Sequence, residues 1–419
     1  MRVTPNELHA DYVKAAPGWA RARDVFAGEA AVKARGEADL PRLDSQSDAE
    51  YGAYLGRASF CGAAGRALED AVELVFRRRP EEVTGGGIGA AFFNDCDGEG
   101  LRLADYARAV LGELLRVGRA ATLVRWDGGA ARVRLLRAEE VLNWSSGEGA
   151  DGPMVAYGVD GLVMPLAVRD GVCGWELDRK DGEAWVRAGG GAMAGPGGTA
   201  VSFLPVVFHG ACALGCGVGP IPMVDLVDAC LEHYRLDADY KHGLHLCALP
   251  TAWVSGFDRS APLRVGSNEA WVSEDPGATA GFLEYSGQGL GHLETALARV
   301  EARMAGLGAR FVGGGGGQVS GLGGVVRGLN AGLARIVELG CWRGGPLGAE
   351  LPPVYLRLNE DFGARGVTPE EITALVGAWR AGGISRETML EGLQRGGLLP
   401  EGRSAAQEKA LVHGAMRAG

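Results

Sequence analysis

Between Arg119 and Gly210 the apolar residues come in short runs, Ala121 to Trp126, Val133 to Leu136, Leu162 to Val168 and Val201 to Phe208. The runs are separated by Asp127-Gly128, Asp160-Gly161, Asp170-Gly171 and Asp181-Gly182. Asp-Gly accommodates the positive φ angles of tight hairpin turns, so the pattern predicts an antiparallel meander with no long helix. Such a sheet must bury a face, and helical sequence stands on both sides of it. Upstream of it, Ser47-Asp48-Ala49-Glu50 has the form of a capping box after a polar N-terminal arm. Apolar residues then recur at spacings of three and four, which predicts one helix over residues 48–78 that stops before Pro80. A second helix carries Leu103, Tyr106, Val110, Leu111, Leu114 and Leu115 on one face, with Gly118 as its C-terminal cap. Helices and an antiparallel sheet that alternate in blocks make the fold class α+β.

Beyond the meander a Gly-rich crossing over residues 210–219 leads to Pro220-Ile221-Pro222, a suitable helix start because proline lacks only an N–H that would be unpaired there. The helix is expected to run through Met223, Leu226, Cys230 and Tyr234 to about His242, with Gly243 closing it. Strand-like runs follow at Thr251 to Val254, Glu269 to Val272 and Phe282 to Tyr285, and helical periodicity returns from Leu290 to Leu307. Ten of the twenty residues over 313–332 are glycine. Each glycine costs a helix interior about 1 kcal/mol relative to alanine, so this segment must be mobile or clamped by neighbours. A strand at Val354 to Leu358 precedes Thr368-Pro369-Glu370-Glu371, which opens a helical tail through Trp379, a helix over residues 385–395 and a last segment near 404–417.

The chain holds 70 glycines in 419 residues, but they follow no three-residue period, and a 47% hydrophobic content with dispersed aromatics excludes a low-complexity disordered chain. A net charge of −10 argues against a protein that grips nucleic acid, which needs clustered cations to release counterions. No apolar run is long enough to span a membrane and the N-terminus carries no signal-peptide core, so the chain reads as intracellular and soluble, with no membrane partner. Eight cysteines contain no CxxC pair, which points to reduced core thiols.

The motifs that carry chemistry fail on context. Gly147-Glu148-Gly149-Ala150-Asp151-Gly152 spells GxGxxG, but a polar loop leads from it into another strand, where a dinucleotide site needs a helix N-terminus. No GxxxxGK[ST] exists. Asp95-Cys96-Asp97-Gly98 resembles half a calcium loop, yet its twelfth position is Tyr106, where a bidentate Glu belongs. His233, His242, His245 and Cys247 are neighbours in sequence without a second ligand pair for zinc. With no GxSxG elbow either, the residues predict no catalytic group, no cofactor and no metal, and the protein reads as a non-enzyme.

The order of elements, together with particular residues, resembles the portal proteins of tailed bacteriophages, and more closely a divergent portal-like phage family of unknown function. The resemblance is carried by Leu40-Pro41-Arg42-Leu43 with Ser47-Asp48-Ala49-Glu50-Tyr51, and by Gly65-Arg66 through Leu74-Val75-Phe76-Arg77. It continues in Leu142-Asn143-Trp144, in His233-Tyr234-Arg235-Leu236-Asp237-Ala238-Asp239-Tyr240 with His242-Gly243-Leu244-His245, and in Gly383-Ile384-Ser385-Arg386-Glu387-Thr388.

It implies a wing at 1–219, a stem helix at 220–246, a small β clip at 247–287, a second stem helix at 288–312, a tunnel loop and helix at 313–340, a wing return strand at 341–367 and a crown at 368–419. It also implies a ring homo-oligomer, expected as a dodecamer, at one vertex of the virion, assembled in the host cytoplasm. Double-stranded DNA would pass through it during packaging and ejection, and its partners would be the terminase large subunit, a head-tail adaptor and the major capsid protein. Within this frame the first stem helix carries Asp225, Asp228, Glu232, Asp237 and Asp239 against Arg235 and Lys241, a net of −3 that would repel phosphates around a bore. Residues 288–340 sum to +2, and Arg310, Gln318, Ser320 and Arg327 are the residues expected nearest DNA. The alternative is another ring-forming head-tail connector or minor capsid protein without a DNA tunnel, which should lack a clip between two stem helices.

Overall fold

The polar N-terminal arm is a helix, α1 (Ala10–Ala27), whose Trp19, Ala22 and Val25 are buried at spacings of three. The computed structural model describes residues 7–85, 89–146, 154–159, 161–182, 184–211, 215–248, 251–257, 271–283, 287–313, 321–345, 353–360, 362, 369–395 and 407–408. They fall into two units, Met1–Glu360 and Asp361–Gly419, and mix helix and sheet as an α+β fold should.

After α2 (Glu29–Ala34), helix α3 (Asp48–Arg57) starts on the expected capping box: the Ser47 N–H donates to Glu50 Oε2 at 2.7 Å and the Glu50 N–H to Ser47 Oγ at 3.4 Å. The single helix predicted over 48–78 is interrupted, and α4 (Ala63–Phe76) begins afresh after Gly62, whose φ is 51°. Local periodicity does not show this break, because its cause is tertiary: residues 58–62 are pulled against a helix more than 150 residues later in the chain. Strand β1 (Glu81–Thr84) and α5 (Ala90–Asn94) lead to α6 (Leu103–Val117), the most buried of these helices, which ends at Gly118 as predicted.

The β region comprises β2 (Arg119–Asp127), β3 (Ala130–Arg137), β4 (Val141–Ser145), β5 (Met154–Val159), β6 (Leu162–Arg169), β7 (Val172–Asp181), β8 (Ala184–Ala192) and β9 (Val206–Gly210). All its pairings are antiparallel, but they form two sheets instead of one meander, ordered β3-β2-β9 and β4-β5-β6-β7-β8. Asp170 (φ 50°) and Gly171 (φ 74°) occupy the turn between Arg169 and Val172, as the Asp-Gly rule requires. At β2–β3 the paired residues are Asp127 and Ala130, so the turn falls one residue later, on Gly128-Gly129. The GxGxxG segment at 147–152 lies outside the described residues.

Leu123, Leu136, Val141, Trp144, Val155, Tyr157 and Leu166 from both sheets share one core. Arg119 is 1% exposed within it, its guanidinium 3.7 Å from the Trp144 ring centre and its Nη2 donating to Cys216 O at 2.8 Å. Burial lowers its pKa to about 10. A second buried charge cluster fastens α1 to α6: Arg23 donates to Glu113 Oε2 at 2.7 Å and to Glu139 Oε1 at 2.6 Å. Burial works to lower the Arg23 pKa, but its hydrogen bonds to Glu139 and Glu113 prevail and raise it.

The rest of the first unit is α7 (Val224–Ala248), β10 (Thr251–Ser255), β11 (Thr279–Leu283), α8 (Leu290–Gly313), α9 (Leu322–Gly340) and β12 (Val354–Arg357). Of the predicted strand-like runs, the middle one is not a strand where it is described, at Trp271 and Val272. Strand β12 pairs with β1, Glu81 opposite Arg357, and the Asn330 amide of α9 holds its end by accepting from the Leu358 N–H at 2.8 Å and donating to Leu358 O at 3.0 Å. The second unit contains α10 (Pro369–Arg380) and α11 (Arg386–Arg395), which pack on each other. Thr368 and residues 409–419 lie outside the described residues.

Helix α9 settles the clamped-or-mobile question for residues 321–332. The helix lies against β9 so closely that a Cβ on Gly332 would stand 2.4 Å from His209 Nδ1, and one on Gly328 3.0 Å from Gly210 O. The glycines lost to helix propensity are returned as close backbone approach. His209 is fully buried, bonded through Nε2 to Thr122 Oγ1 at 2.8 Å, and burial lowers its pKa to about 4.

Candidate functional site

Helices α7 and α8 run side by side in opposite directions. Their contacts step down both helices in register: Cys230 with Met304 (3.7 Å), Glu232 with Arg303 (2.9 Å), His233 with Glu301 (3.2 Å) and Tyr240 with Glu294 (2.5 Å). Each turn forward on one helix is met by a turn backward on the other. Gly243 does not close α7, because its missing side chain leaves room for Leu290: a Cβ there would lie 2.7 Å from Leu290 Cδ2. The helix therefore continues to Ala248, and its 25 residues span about 37 Å at 1.5 Å per residue.

At the far end of the pair, β10 and β11 form a separate two-stranded antiparallel sheet, Thr251 opposite Leu283 and Ser255 opposite Thr279. Its apolar side chains are open to solvent: Trp253 is 46% exposed, Phe282 54% and Leu283 68%. A lone two-stranded sheet is marginal in water and gains from further contacts.

The acidic residues expected on the first stem helix are spent largely inside the subunit. Asp228 pairs with Arg21 of α1 at 2.8 Å and Glu232 with Arg303 of α8. Asp237 accepts from the Ser59 N–H at 2.7 Å and pairs with Lys241 at 3.0 Å, and Asp239 accepts from the Tyr54 hydroxyl at 2.6 Å. Burial, then that bond to Asp239, raises the Tyr54 pKa. Asp225 is exposed. Counting α7 alone overstated the field: with two acids and three arginines on α8 the paired helices carry −2, before Arg21 is added. Neither Arg21 nor Ser59 was foreseeable as a partner, since both are remote in sequence and nothing local marks them.

Arg310 is exposed near the end of α8, its Nε donating to Gly306 O at 3.3 Å, and the adjacent Phe311 carbonyl lies beside Gly321, just before α9. Arg327 is exposed on α9, away from the face that holds Val325, Val326 and Leu329 in the core. Gln318 and Ser320 lie outside the described residues.

The other candidate motifs resolve into structure. Asp95 Oδ1 accepts from the N–H groups of Gly98 (2.7 Å) and Gly100 (3.0 Å), and Asp97 Oδ1 from Glu99 (2.8 Å) and Leu101 (3.1 Å), so the carboxylates tie the loop's own backbone. His242 Nδ1 contacts Arg57 Nη2 at 3.2 Å, and His233 faces Glu301. Among the described residues no three His, Cys, Asp or Glu side chains are grouped as metal ligands, and no helix is long and apolar enough to cross a membrane.

Comparison with known proteins follows the same region. The family described as a domain of unknown function (DUF4055) matches residues 222–339, which take in α7, the small sheet, α8 and nearly all of α9. No curated protein matches the chain. Among solved structures, a chain from the virion of a native gene transfer agent particle is 16% identical at a TM-score of 0.41, covering 88% of this chain and 99% of its own. A chain from the neck of an empty gene transfer agent particle, computed with C6 symmetry, is 17% identical at a TM-score of 0.39, covering 80% and 90%. One from the neck of a native particle, computed with C12 symmetry, is 15% identical at 0.38, covering 83% and 93%.

Proposed function

We propose that this chain is the portal-type subunit of a phage-like particle: a structural protein that assembles into a ring at one capsid vertex and conducts double-stranded DNA during packaging and ejection. The observation that carries the reading is the pair α7 and α8 with the small sheet at its end, a stem-clip-stem arrangement that a connector without a DNA tunnel should lack. The sequence resemblance supports it, and the DUF4055 match at residues 222–339 covers the same helices and small sheet. In this reading its partners are the terminase large subunit, a head-tail adaptor and the major capsid protein.

The electrostatics of the bore are milder than residue counting suggests. With Asp228, Glu232, Asp237 and Asp239 engaged inside each subunit, Asp225 remains the stem carboxylate most available to face passing phosphates. A weakly negative wall repeated around a ring still disfavours tight phosphate contact, which a sliding duplex requires. Arg310 and Arg327, both exposed, are proposed nearest the DNA at the inner end of the stem, with Gln318 and Ser320 of the intervening segment.

Negative-stain imaging of the purified full-length chain tests the reading. Rings with a central channel wide enough for duplex DNA are expected. A protein that stays monomeric at high concentration, or a ring without a channel, overturns it.

A further inference from the structure

The junction between α3 and α4 is laid along one face of α7, and its residues meet that helix in reverse order. Ser59 meets Lys241 and Asp237 through its Oγ and N–H, Phe60 packs edge-on against Tyr234 with ring centres 6.0 Å apart, and Cys61 reaches Cys230. Positions 230, 234, 237 and 241 form a single stripe of the helix, so the contacts of Ser59 and Phe60 bring Cys61, the next residue, to the level of Cys230. The register sets Cys61 beside Cys230, its nearest thiol neighbour. On its other side Cys230 Sγ touches Met304 Sδ of α8 at 3.7 Å. Cys230 is fully buried, whereas Cys61 is half-buried at the start of α4, one residue before Gly62.

We infer that Cys61 and Cys230 form a reversible redox pair, in which Cys61 is the thiol that peroxide or a small disulfide attacks and Cys230 is the resolving thiol, so that oxidation bonds the helical layer to α7. This inference is independent of the proposed function.

The environment favours this division of roles. The neighbouring Cys230 thiol is the largest influence on Cys61; with the Ala63 N–H and the nearby His233 and Arg66 it outweighs burial and lowers the Cys61 pKa. The same contact, with burial, raises that of Cys230. The opposed shifts enlarge the thiolate fraction of Cys61 and keep the proton on Cys230. With hydrogen peroxide, a sulfur lone pair of the Cys61 thiolate attacks one oxygen and the O–O bond breaks, giving a sulfenic acid and hydroxide, and the hydroxide takes up the proton that Cys61 had released on ionising. The Cys230 sulfur then displaces the sulfenic oxygen as water, carrying away the Cys230 proton and forming the S–S bond. In sum two thiols and one peroxide give one disulfide and two waters. Oxidised glutathione achieves the same by two thiol exchanges that release two molecules of glutathione.

The test is peptide mass spectrometry of the full-length protein under non-reducing conditions, after treatment with hydrogen peroxide or oxidised glutathione and alkylation of the remaining thiols. The expected result is a Cys61–Cys230 cross-linked peptide two hydrogens lighter than the reduced pair, reversed by dithiothreitol. Before oxidation, iodoacetamide at pH 7 should label Cys61 roughly tenfold faster than the similarly half-buried Cys216 and Cys247. In Cys230→Ser the oxidised Cys61 should accumulate as sulfenic acid or mixed disulfide, trapped by dimedone or carrying one glutathione. If wild-type protein shows both residues alkylated after oxidation, or either one bridged to a different cysteine, the inference fails. The wild-type measurement decides this even if a variant does not fold.

Discussion

Replacing Gly332 with alanine should destabilise this protein, against the ordinary rule for helices. In a helix interior alanine is favoured over glycine by about 1 kcal/mol. The new Cβ would stand 2.4 Å from His209 Nδ1 and 2.6 Å from its Cε1, on a ring with no exposed surface. Moving that ring would break its bond to Thr122, worth about 1 kcal/mol, and relieving the overlap by shifting α9 costs about 1–3 kcal/mol in a packed core. The balance is a net loss of about 2 kcal/mol. The control is Gly308→Ala on α8, where a Cβ meets nothing within 4 Å and the propensity gain of about 1 kcal/mol should appear uncancelled. Chemical denaturation followed by tryptophan fluorescence measures both. In a His209→Ser background, where the ring is gone, Gly332→Ala should become neutral or stabilising. If Gly332→Ala stabilises the parent protein as Gly308→Ala does, the close packing of α9 on β9 is refuted.

The buried imidazole sets a pH dependence. Its folded pKa of about 4 lies below the unfolded value of about 6.5, so the unfolded chain binds the extra proton between these limits and stability falls as pH drops through that window, by about 3 kcal/mol from this residue. Denaturation curves between pH 7 and pH 4 should show His209→Asn with a flatter profile than the parent. Arg23→Met should cost about 2 kcal/mol, because it leaves the carboxylate of Glu113, whose side chain is 8% exposed, with only the longer Arg116 pair at 3.6 Å, and adding Glu113→Gln and Glu139→Gln should recover part of the loss. Asn330→Leu should cost about 2 kcal/mol by leaving both the N–H and the carbonyl of Leu358 without their partner, measurable as a lowered thermal midpoint.

What could be read from the sequence was what short-range chemistry dictates. The capping box at Ser47, the cap at Gly118, the β character of residues 119–210 and the long helix after Pro222 all follow from neighbours within a few positions. The failures share one physical origin, contacts between residues far apart in the chain. Gly62 breaks a periodic helix because the junction must lie along α7, Gly243 fails to end one because Leu290 fills its space, and strand β1 exists only because β12 returns to pair with it. The same origin explains the stem charges. Aspartates that looked free in a linear count are answered by Arg21, Ser59 and Tyr54, none of which adjoins them in sequence. Helix α1 was obscured for another reason: the positions between its buried Trp19, Ala22 and Val25 include Arg21, Arg23 and Asp24, and Pro17 precedes them, so the apolar stripe is too narrow to stand out by composition.

The register between α7 and α8 also has an evolutionary consequence. The backbone segment after Ala248 returns at Leu290 directly opposite the point it left, because Gly243 seats Leu290. Among the described residues between those two points, β10 and β11 pair only with each other. The segment can lengthen, shorten or be exchanged wholesale while the helices keep their pairing. A lineage could thus exchange the tip by recombination at two fixed seams in one event, without re-adapting the residues on either side of it.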